Sequence, residues 1–335
     1  MVTLAEVAQH AGVSASTVSY VLSGKRSIST TTRQRVEQSI RELGYHPNAG
    51  ARALASSRSN IIALMIPLRT DMYMPVMMEI SIAVATAARG YGYDILLLTG
   101  QEGPDAVRRV TGSGLADGMI LMDVELDDER LPLLRATERP SVLIGLPADP
   151  SGLACVDLDW SATGALCVEH LAGLGHRDIA VIGEAPGVYE RHTGFAVRTL
   201  EGLRARAREL EVRALHRPCE GGYDAMASTL ARIFDERPAT TGFVVQNESA
   251  VEPLLALLRQ QGRAVPEDVS VVAICPDQVA VQAPVRLTSV AIPAAEMGRR
   301  ALERLVAKLE GRGGAEVALI APELTLRAST GPGPV

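Results

Sequence analysis

Short, continuously apolar runs alternate with longer amphipathic stretches from residue 61 onwards. Each run has the length and character of a strand that is buried on both faces of a parallel sheet. The predicted strands are Ile61–Ile66, Asp94–Leu98, Gly118–Met122, Ser141–Ile144, Ile179–Ile182, Gly242–Val245 and Val269–Ile274, and the predicted helices include Met74–Gly90, Ser161–Leu174, Arg191–Glu209 and Ser249–Gln261. This repeated β/α order predicts an α/β body of two doubly wound lobes, in which ligands bind at the carboxyl ends of the strands.

The residues before this body predict a small all-α head of three helices. Thr3 and Glu6 have the spacing of a capping box, and Gly12 can adopt the left-handed conformation that ends a helix. Ser14 can cap a short second helix, and Ser29 begins a third. A second helix of about 12 Å after a glycine turn is typical of a helix-turn-helix, whose second helix lies in the DNA major groove. A three-helix scaffold without nucleic acid would share this apolar pattern.

The segment after the third helix is rich in alanine and has little apolar surface to bury. Pro47 ends the third helix, Asn48 can cap a new one, and Leu54 lies between Arg52 and Arg58. Such a helix is only marginally stable by itself, and a leucine flanked by arginines is suited to insertion into a DNA minor groove. An ordinary alanine-rich linker is the alternative.

The head and the body differ in charge. The chain has 335 residues with 33 Lys+Arg and 39 Asp+Glu, which gives a net charge of −6. Residues 1–60 nevertheless contain seven basic and three acidic side chains. A positive head on a strongly negative body indicates that the head meets a polyanion such as DNA, while the body does not.

Composition argues against membrane, secreted and disulfide-rich classes of protein. No apolar run reaches the ~18 residues that a membrane-spanning helix needs, and the N-terminus has no basic cluster before an apolar core. We therefore expect a cytoplasmic protein. The cysteines are scattered without a C-x-x-C pair, so they are expected to be reduced and to bind no metal. They are Cys155, Cys167, Cys219 and Cys275.

The motifs of common enzymes on doubly wound folds are missing from the sequence. There is no phosphate-binding G-x-x-x-x-G-K-[ST] loop, the Gly90–Gly92 turn lacks the third glycine of a dinucleotide site, and no G-x-S-x-G or H-E-x-x-H occurs. His170 and His176 have no neighbouring metal-ligand cluster. We therefore predict that the chain is not an enzyme and uses no cofactor or metal. A periplasmic solute-binding protein would share the lobes but would leave the head unexplained.

The N-terminal segments Thr3–Leu22 and Tyr45–Leu54 resemble the lactose-repressor/galactose-repressor (LacI/GalR) family of bacterial transcription regulators. The likeness continues in family order through His170–Gly183, Arg191–Phe195, Val265–Val272, Leu287–Gly298 and Pro322–Thr330. It implies a helix-turn-helix domain at 1–46, a hinge helix and linker at 47–60, and an effector-binding and dimerisation domain at 61–335. In that domain, lobe one covers about 61–158 and 293–319, and lobe two about 159–290 and 320–330.

The resemblance implies a homodimer whose two heads read the halves of a palindromic operator in double-stranded DNA. Leu54 falls on the family's intercalating leucine, and Thr32 on a phosphate contact of the third helix. Ala15, Ser16 and Tyr20 match base-reading positions, where better-known members carry larger polar residues or arginine. The DNA-binding candidates are Thr3, Ser14, Ala15, Ser16, Thr17, Tyr20, Thr32, Asn48, Arg52 and Leu54.

The resemblance also implies a small-molecule effector in the cleft between the lobes. Arg191 falls on the family's ligand-binding arginine, and its planar fork suits vicinal hydroxyls or a carboxylate. Asn247 matches the family's asparagine, whereas Glu248 and Cys275 stand where relatives often carry aspartate. The effector-binding candidates are Tyr73, Asp159, Trp160, Arg191, Asn247, Cys275 and Asp277, of which Trp160 offers a face for a sugar ring.

We therefore expect a sequence-specific DNA-binding regulator, a repressor that a small carbohydrate releases from its operator. The same fold with a non-sugar effector or a corepressor is the alternative. An enzyme or a solute-binding protein built on the two-lobed body is a more distant one. The tail after Ser329 lacks the leucine heptads of a terminal tetramer bundle.

Overall fold

The computed structural model describes residues 2–23, 26–45, 58–100 and 103–334. The chain divides into a small unit, formed by residues up to 60 together with 114–117, and a large unit formed by the rest. The predicted hinge residues Asn48, Arg52 and Leu54 lie outside the described residues. Within the described ranges, no helix is both long and apolar enough to span a membrane.

The small unit contains the three predicted helices, α1 (Leu4–Ala11), α2 (Ala15–Ser23) and α3 (Thr30–Leu43). The capping box is formed: Thr3 Oγ1 accepts from Glu6 N, and Glu6 Oε2 accepts from Thr3 N at 2.7 Å. Gly12 and Gly44 end α1 and α3 with φ of 64° and 60°, in the left-handed region that the sequence demands of them. The helices enclose a core centred on the fully buried Val7, Val18 and Val36. The predicted head is therefore confirmed.

The large unit contains two sheets of six strands each. The first sheet is parallel throughout, in the order β11-β5-β4-β3-β1-β2. Its strands are β1 (Ile61–Met65), β2 (Asp94–Leu98), β3 (Gly118–Leu121), β4 (Ser141–Ile144), β5 (Cys155–Leu158) and β11 (Val317–Ile320). The helices that connect or cover them are α4 (Met74–Gly90), α5 (Pro104–Ser113), α6 (Leu131–Ala136) and α13 (Ala294–Leu309). We refer to this part as lobe one.

The second sheet has the order β12-β10-β9-β8-β6-β7, and β12 alone runs antiparallel to its neighbour. Its strands are β6 (Asp178–Gly183), β7 (Arg213–Pro218), β8 (Gly242–Val245), β9 (Ser270–Cys275), β10 (Thr288–Ala291) and β12 (Leu324–Thr325). The helices are α7 (Trp160–Gly173), α8 (Pro186–Glu190), α9 (Gly194–Glu209), α10 (Tyr223–Glu236), α11 (Val251–Gln260) and α12 (Asp277–Gln282). We refer to this part as lobe two.

Two predicted helices have different beginnings in the structure. The helix predicted from Arg191 starts at Gly194, because His192 adopts a positive φ of 53° and interrupts the backbone after α8. The helix predicted from Ser249 starts with a single 3₁₀ turn, Glu248–Ala250, before α11. Both differences matter because they place Arg191 and Glu248 in short connections at strand ends rather than on helix faces.

The prediction of an α/β body with doubly wound lobes is confirmed. The pattern did not predict β5, β7, β10, β11 or β12. β7 mixes polar and apolar residues, and Asp157 interrupts β5, so neither has the continuous apolar run that marks a strand covered on both faces. The helices α7 and α9 cross closely: a Cβ at Gly164 would lie 2.1 Å from the carbonyl oxygen of Thr199.

Candidate functional site

Helix α2 presents the predicted DNA-reading surface of the head. Ala15 and Ser16 are exposed at its first turn, and Tyr20 is half-buried one turn later. The Ser14 hydroxyl caps the helix by accepting from Thr17 N at 3.2 Å, and it lies 2.8 Å from the Ser16 hydroxyl. The Arg26 guanidinium lies 5.8 Å from the centre of the Tyr20 ring, within cation–π range. The surface is therefore small, polar and bordered by a cation.

The remaining DNA-binding candidates of the head occupy helix starts. Thr3 is the N-cap of α1, and Thr32 lies in the first turn of α3, where its backbone N–H donates to the Ser29 hydroxyl at 3.3 Å. The Thr17 hydroxyl lies 2.8 Å from the Ser14 hydroxyl, within hydrogen-bond distance. Helix N-termini carry partial positive charge and unpaired N–H groups, so these positions suit contacts with phosphate.

A cavity of about 100 Å³ lies between the two lobes of the large unit. Many residues of its wall belong to connections after the carboxyl ends of strands in both sheets, where ligands of such folds bind, and helix residues such as Met77 and Met297 complete it. Lobe one contributes Asp71, Met72, Tyr73, Met122 and Asp123, and lobe two contributes Trp160, Glu184, Arg191, Phe195 and Glu248, with Asp157 at the end of β5.

An ion pair crosses this cavity from one lobe to the other. Arg191 Nη1, at the end of α8, donates to Asp71 Oδ2, in the segment after β1, at 2.9 Å. Arg191 Nε and Asp71 Oδ1 are buried without a hydrogen-bond partner. The absence of a side chain at Gly187 leaves room for this ion pair, because a Cβ there would lie 3.1 Å from Asp71 Oδ2 and 3.2 Å from Arg191 Nη1. The pair therefore offers one unused donor and one unused acceptor.

Asp157 and two aromatic rings form another part of the wall. Asp157 Oδ1 accepts from Trp160 Nε1 at 2.7 Å and from Leu158 N at 2.9 Å, whereas Oδ2 has no partner. The side chain is only 2% exposed, and this burial raises the pKa of Asp157 to about 7. The Trp160 and Phe195 rings lie 5.4 Å apart between centroids and are tilted by 52°. This corner combines apolar ring faces with an unsatisfied carboxyl oxygen.

Two glutamates complete the polar lining. Burial, together with the nearby Glu248 and Asp71, raises the pKa of Glu184 well above its usual value. Burial also raises the pKa of Glu248 to about 8. Behind Glu184, the Tyr189 hydroxyl accepts from Glu184 N at 3.2 Å and donates to Gln246 Oε1 at 2.9 Å. This network holds the backbone of Glu184 in place at the end of β6.

The structure places three of the predicted effector contacts, Tyr73, Trp160 and Arg191, in the cavity wall. The other four, Asp159, Asn247, Cys275 and Asp277, are not among the lining residues. Asp159 caps α7 by accepting from Ala162 N at 2.9 Å, and Asp277 pairs with Arg327. Cys275 is fully buried in the core of lobe two.

The Asn247 side chain is occupied by the backbone of its own lobe. Its Nδ2 donates to the Cys219 carbonyl at 2.7 Å, and its Oδ1 accepts from Ser249 N at 2.9 Å. It therefore orders the connection that carries Glu248 into the cavity. Sequence reasoning missed Asp71 and Glu184 as lining residues, although each follows a predicted strand closely, which is the signal that could have identified them.

The chemistry of the cavity is that of a binding site for a small polar molecule. Ring faces, methionines and several buried polar atoms without partners surround it. Within the described residues, no group of His, Cys, Asp and Glu side chains forms a candidate metal site. A helix-turn-helix head on a two-lobed body with such a cleft defines the class of ligand-responsive DNA-binding proteins.

Comparison with known proteins agrees with this class along the chain. Residues 3–48 match the family described as bacterial regulatory proteins, lacI family, and residues 168–330 match the periplasmic binding protein-like domain. The transcriptional regulator CelR of Thermobifida fusca is 31% identical over 320 residues, which covers 92% of each chain. Catabolite control protein A of Priestia megaterium is 26% identical and covers 91% of each chain.

Solved structures give the same result for the fold. A complex of the regulator CelR with cellobiose superposes with a TM-score of 0.68 at 28% identity, covering 98% of this chain and 100% of the other. A Lac repressor dimer bound to operator and an anti-inducer superposes with a TM-score of 0.84 at 23% identity, covering 98% and 99%. The chain belongs to the lacI family of bacterial regulatory proteins and is a DNA-binding transcriptional regulator.

Proposed function

We propose that the protein is a transcriptional repressor in the cytoplasm, that it binds its operator through α2, and that a small carbohydrate in the interlobe cavity releases it. The body has a binding role and no catalytic step. The observation that carries the proposal is the cavity with unpartnered polar atoms from both lobes, in a chain that also has a helix-turn-helix. A ligand that contacts both lobes changes their relative position, and a coupling of about 1–3 kcal/mol would change operator affinity roughly 5- to 150-fold.

The lining supports a carbohydrate as the ligand. Sugars combine apolar ring faces with many hydroxyls, and the cavity combines Trp160, Phe195 and Tyr73 with Arg191 and buried carboxyl groups. The fork of Arg191 has a free Nε next to the Nη1 that Asp71 occupies. The related regulator CelR, whose structure contains cellobiose, is consistent with this class of effector.

An exposed apolar stripe supports assembly as a homodimer. Met74, Met78 and Ile82 repeat every four residues on α4 and are 37%, 47% and 60% exposed. Leu97 is exposed as well, on β2 at the edge of the first sheet. Large apolar side chains aligned on one helix face indicate a protein–protein contact. A dimer would present two copies of α2 to an operator with two half-sites.

The proposal is tested by measuring operator binding with and without sugars. The purified protein is titrated against its own upstream DNA and a scrambled duplex at fixed salt, in the presence of neutral mono- and disaccharides. We expect selective binding that one sugar weakens at least about fivefold. Arg191→Gln should still bind its operator selectively but lose the sugar response, whereas the control Arg206→Gln, a half-buried ion-pair arginine on α9, should retain both properties.

Each alternative has its own outcome in this titration. Selective operator binding that a sugar strengthens would identify that sugar as a corepressor. Selective operator binding that no sugar changes would contradict a carbohydrate effector. Equal affinity for both duplexes at all salt concentrations contradicts the DNA-reading role of α2. If Arg191→Gln responds to the sugar as the wild type does, Arg191 does not contribute to effector binding.

A further inference from the structure

The cavity wall contains more carboxyl groups than cations. Five carboxyl side chains line it, but Arg191 is its one lining cation among the described residues. Two of the five are neutralised by ion pairs, because Asp71 pairs with Arg191 and Asp123 pairs with Arg69. The other three, Asp157, Glu184 and Glu248, form no ion pair within the described part of the chain.

Two of these unpaired carboxyl groups, Asp157 and Glu184, are too deeply buried to be ordinary surface residues, and Glu248 is half-buried. Glu184 is 6% exposed, and its carboxyl group makes no hydrogen bond to any described residue. Asp157 Oδ2 is buried and unpartnered as well. Burial of a carboxylate without a partner costs several kcal/mol, so a structural carboxylate is normally hydrogen-bonded, as Asp159 is at the start of α7. The arrangement therefore suits a ligand that supplies the missing donors.

Charge distinguishes among the ligands that could do so. Burial raises the pKa of Glu184, Glu248 and Asp157, and the one lining cation among the described residues, Arg191, is already engaged by Asp71. A sugar phosphate or sugar acid would therefore bring a negative charge that the wall does not balance. A neutral sugar would donate hydroxyls but would leave the two glutamates uncharged, because it brings no positive charge that stabilises their ionised form. A protonated amine supplies donors and a positive charge together, and a nearby aromatic ring such as that of Tyr73 stabilises it further.

We propose that the effector of this cleft is an amino sugar, whose protonated amine lies between Glu184 and Glu248 and whose hydroxyls reach Asp157 Oδ2 and Arg191 Nε. The inference rests on the proposed function, since it names the class of molecule that would act at the same site. The two glutamates come from different connections of lobe two, after β6 and after β8, so the amine is held at the carboxyl ends of adjacent strands.

The test uses the full-length protein and matched sugars that differ only in charge. Isothermal titration compares D-glucosamine, D-galactosamine, D-mannosamine and chitobiose-type diamines with their neutral parents and with D-glucuronate. We expect at least one amine to bind about 30-fold or more tightly than its neutral parent, because its positive charge stabilises the ionised form of the neighbouring glutamates, and the uronate not to bind. Glu184→Gln should remove this preference, so that the amine and its neutral parent bind this variant with affinities within about threefold of each other.

Two further variants keep the result interpretable. Glu248→Gln should lose the amine preference in the same way. The test therefore does not depend on a single variant, and thermal melting checks that each variant is folded. The control Glu190→Gln changes an exposed glutamate on the neighbouring helix α8 and should leave the preference unchanged. Retention of the preference in both cavity variants overturns the proposal, as does the absence of binding by every amine.

Operator binding, measured in parallel, separates this inference from the proposed function. If a neutral sugar binds in the cleft and weakens operator binding while no amine does so, the amino-sugar inference fails and the repressor function stands. If the protein does not discriminate its upstream DNA from the scrambled duplex, the repressor function itself fails.

Discussion

Arg191 Nη1 lies 2.9 Å from Asp71 Oδ2, and this ion pair joins the two lobes across the cavity. The two residues are 120 positions apart in the chain and belong to connections that follow β6 and β1. The backbone also bridges the lobes nearby, since Leu126 N donates to the His192 carbonyl and Gly194 N to the Val124 carbonyl, both at 2.9 Å. The candidate ligand-binding arginine therefore also holds the cleft together.

The first prediction concerns this interlobe pair. Asp71→Asn removes the charge that holds Arg191, so the free protein should lose about 1–3 kcal/mol of unfolding free energy and populate a more open cleft. Chemical denaturation measures the first effect, and the radius of gyration from small-angle scattering measures the second. The control Asp149→Asn removes the partner of Arg135 at an exposed position and should change neither quantity. An unchanged radius and stability in Asp71→Asn would show that the pair does not hold the lobes.

The second prediction follows from the buried carboxyl group of Asp157. Because its folded pKa is raised to about 7, the folded state keeps a proton that the unfolded state releases above about pH 4. The stabilising contribution of Asp157 to the unfolding free energy is therefore full at low pH, and it is lost as the pH rises to about 7. Asp157→Asn keeps the Oδ1 acceptor for Trp160 but cannot ionise, so its unfolding free energy relative to wild type should rise by roughly 2–4 kcal/mol between pH 4 and pH 8. If the difference in unfolding free energy between Asp157→Asn and wild type does not change with pH over this range, the raised pKa of Asp157 is contradicted.

The third prediction tests the close crossing of α7 and α9. Gly164→Ala would place a methyl group 2.1 Å from the Thr199 carbonyl oxygen, so it should destabilise the body by at least about 2 kcal/mol. The same change at Gly173, near the end of α7, meets nothing within 4 Å and should be neutral or stabilise by up to about 1 kcal/mol. Urea denaturation compares the two, and equal effects would show that the helices can separate without cost.

The fourth prediction links the core of the head to DNA binding. Val36 is fully buried against α1 and α2, so Val36→Ala should destabilise the head by about 1–3 kcal/mol and weaken operator binding as the temperature rises. Ligand binding by the body should not change, since the body has its own core. Gln9→Ala, at an exposed position of α1, serves as the control for the same helical unit. Operator affinity that falls in parallel in both variants would indicate a direct DNA contact rather than loss of the core.

Local signals predicted the elements of the structure well. The capping box of Thr3 and Glu6 and the left-handed Gly12 depend on residues within a few positions of each other, and the structure contains both. The apolar runs of β3, β4 and β8 are buried along their whole length, as continuous runs in a parallel sheet should be. β7 was not predicted, because its mixed polar and apolar residues form no continuous apolar run.

The candidate site could be predicted only in part. Arg191, Trp160 and Tyr73 line the cavity; the resemblance predicts Arg191 there, and the strand ends that face the cleft predict the two aromatic residues. Asp159 and Asn247 were expected there as well, but their side chains bond to the neighbouring backbone. An aspartate or asparagine after a strand can cap a helix or face a ligand. The local sequence does not distinguish these two roles.

The sequence by itself determined the helix-turn-helix head, the two-lobed α/β body and the family, because capping, periodicity and motif order are properties of neighbouring residues. Only the tertiary structure decided which polar side chains share the cavity. Asp71 meets Arg191, and Glu184 lies near Glu248, because the strand order of the two sheets brings distant connections to facing edges. The chemistry of the cleft is therefore a consequence of topology, since it depends on contacts between residues that are far apart in the chain.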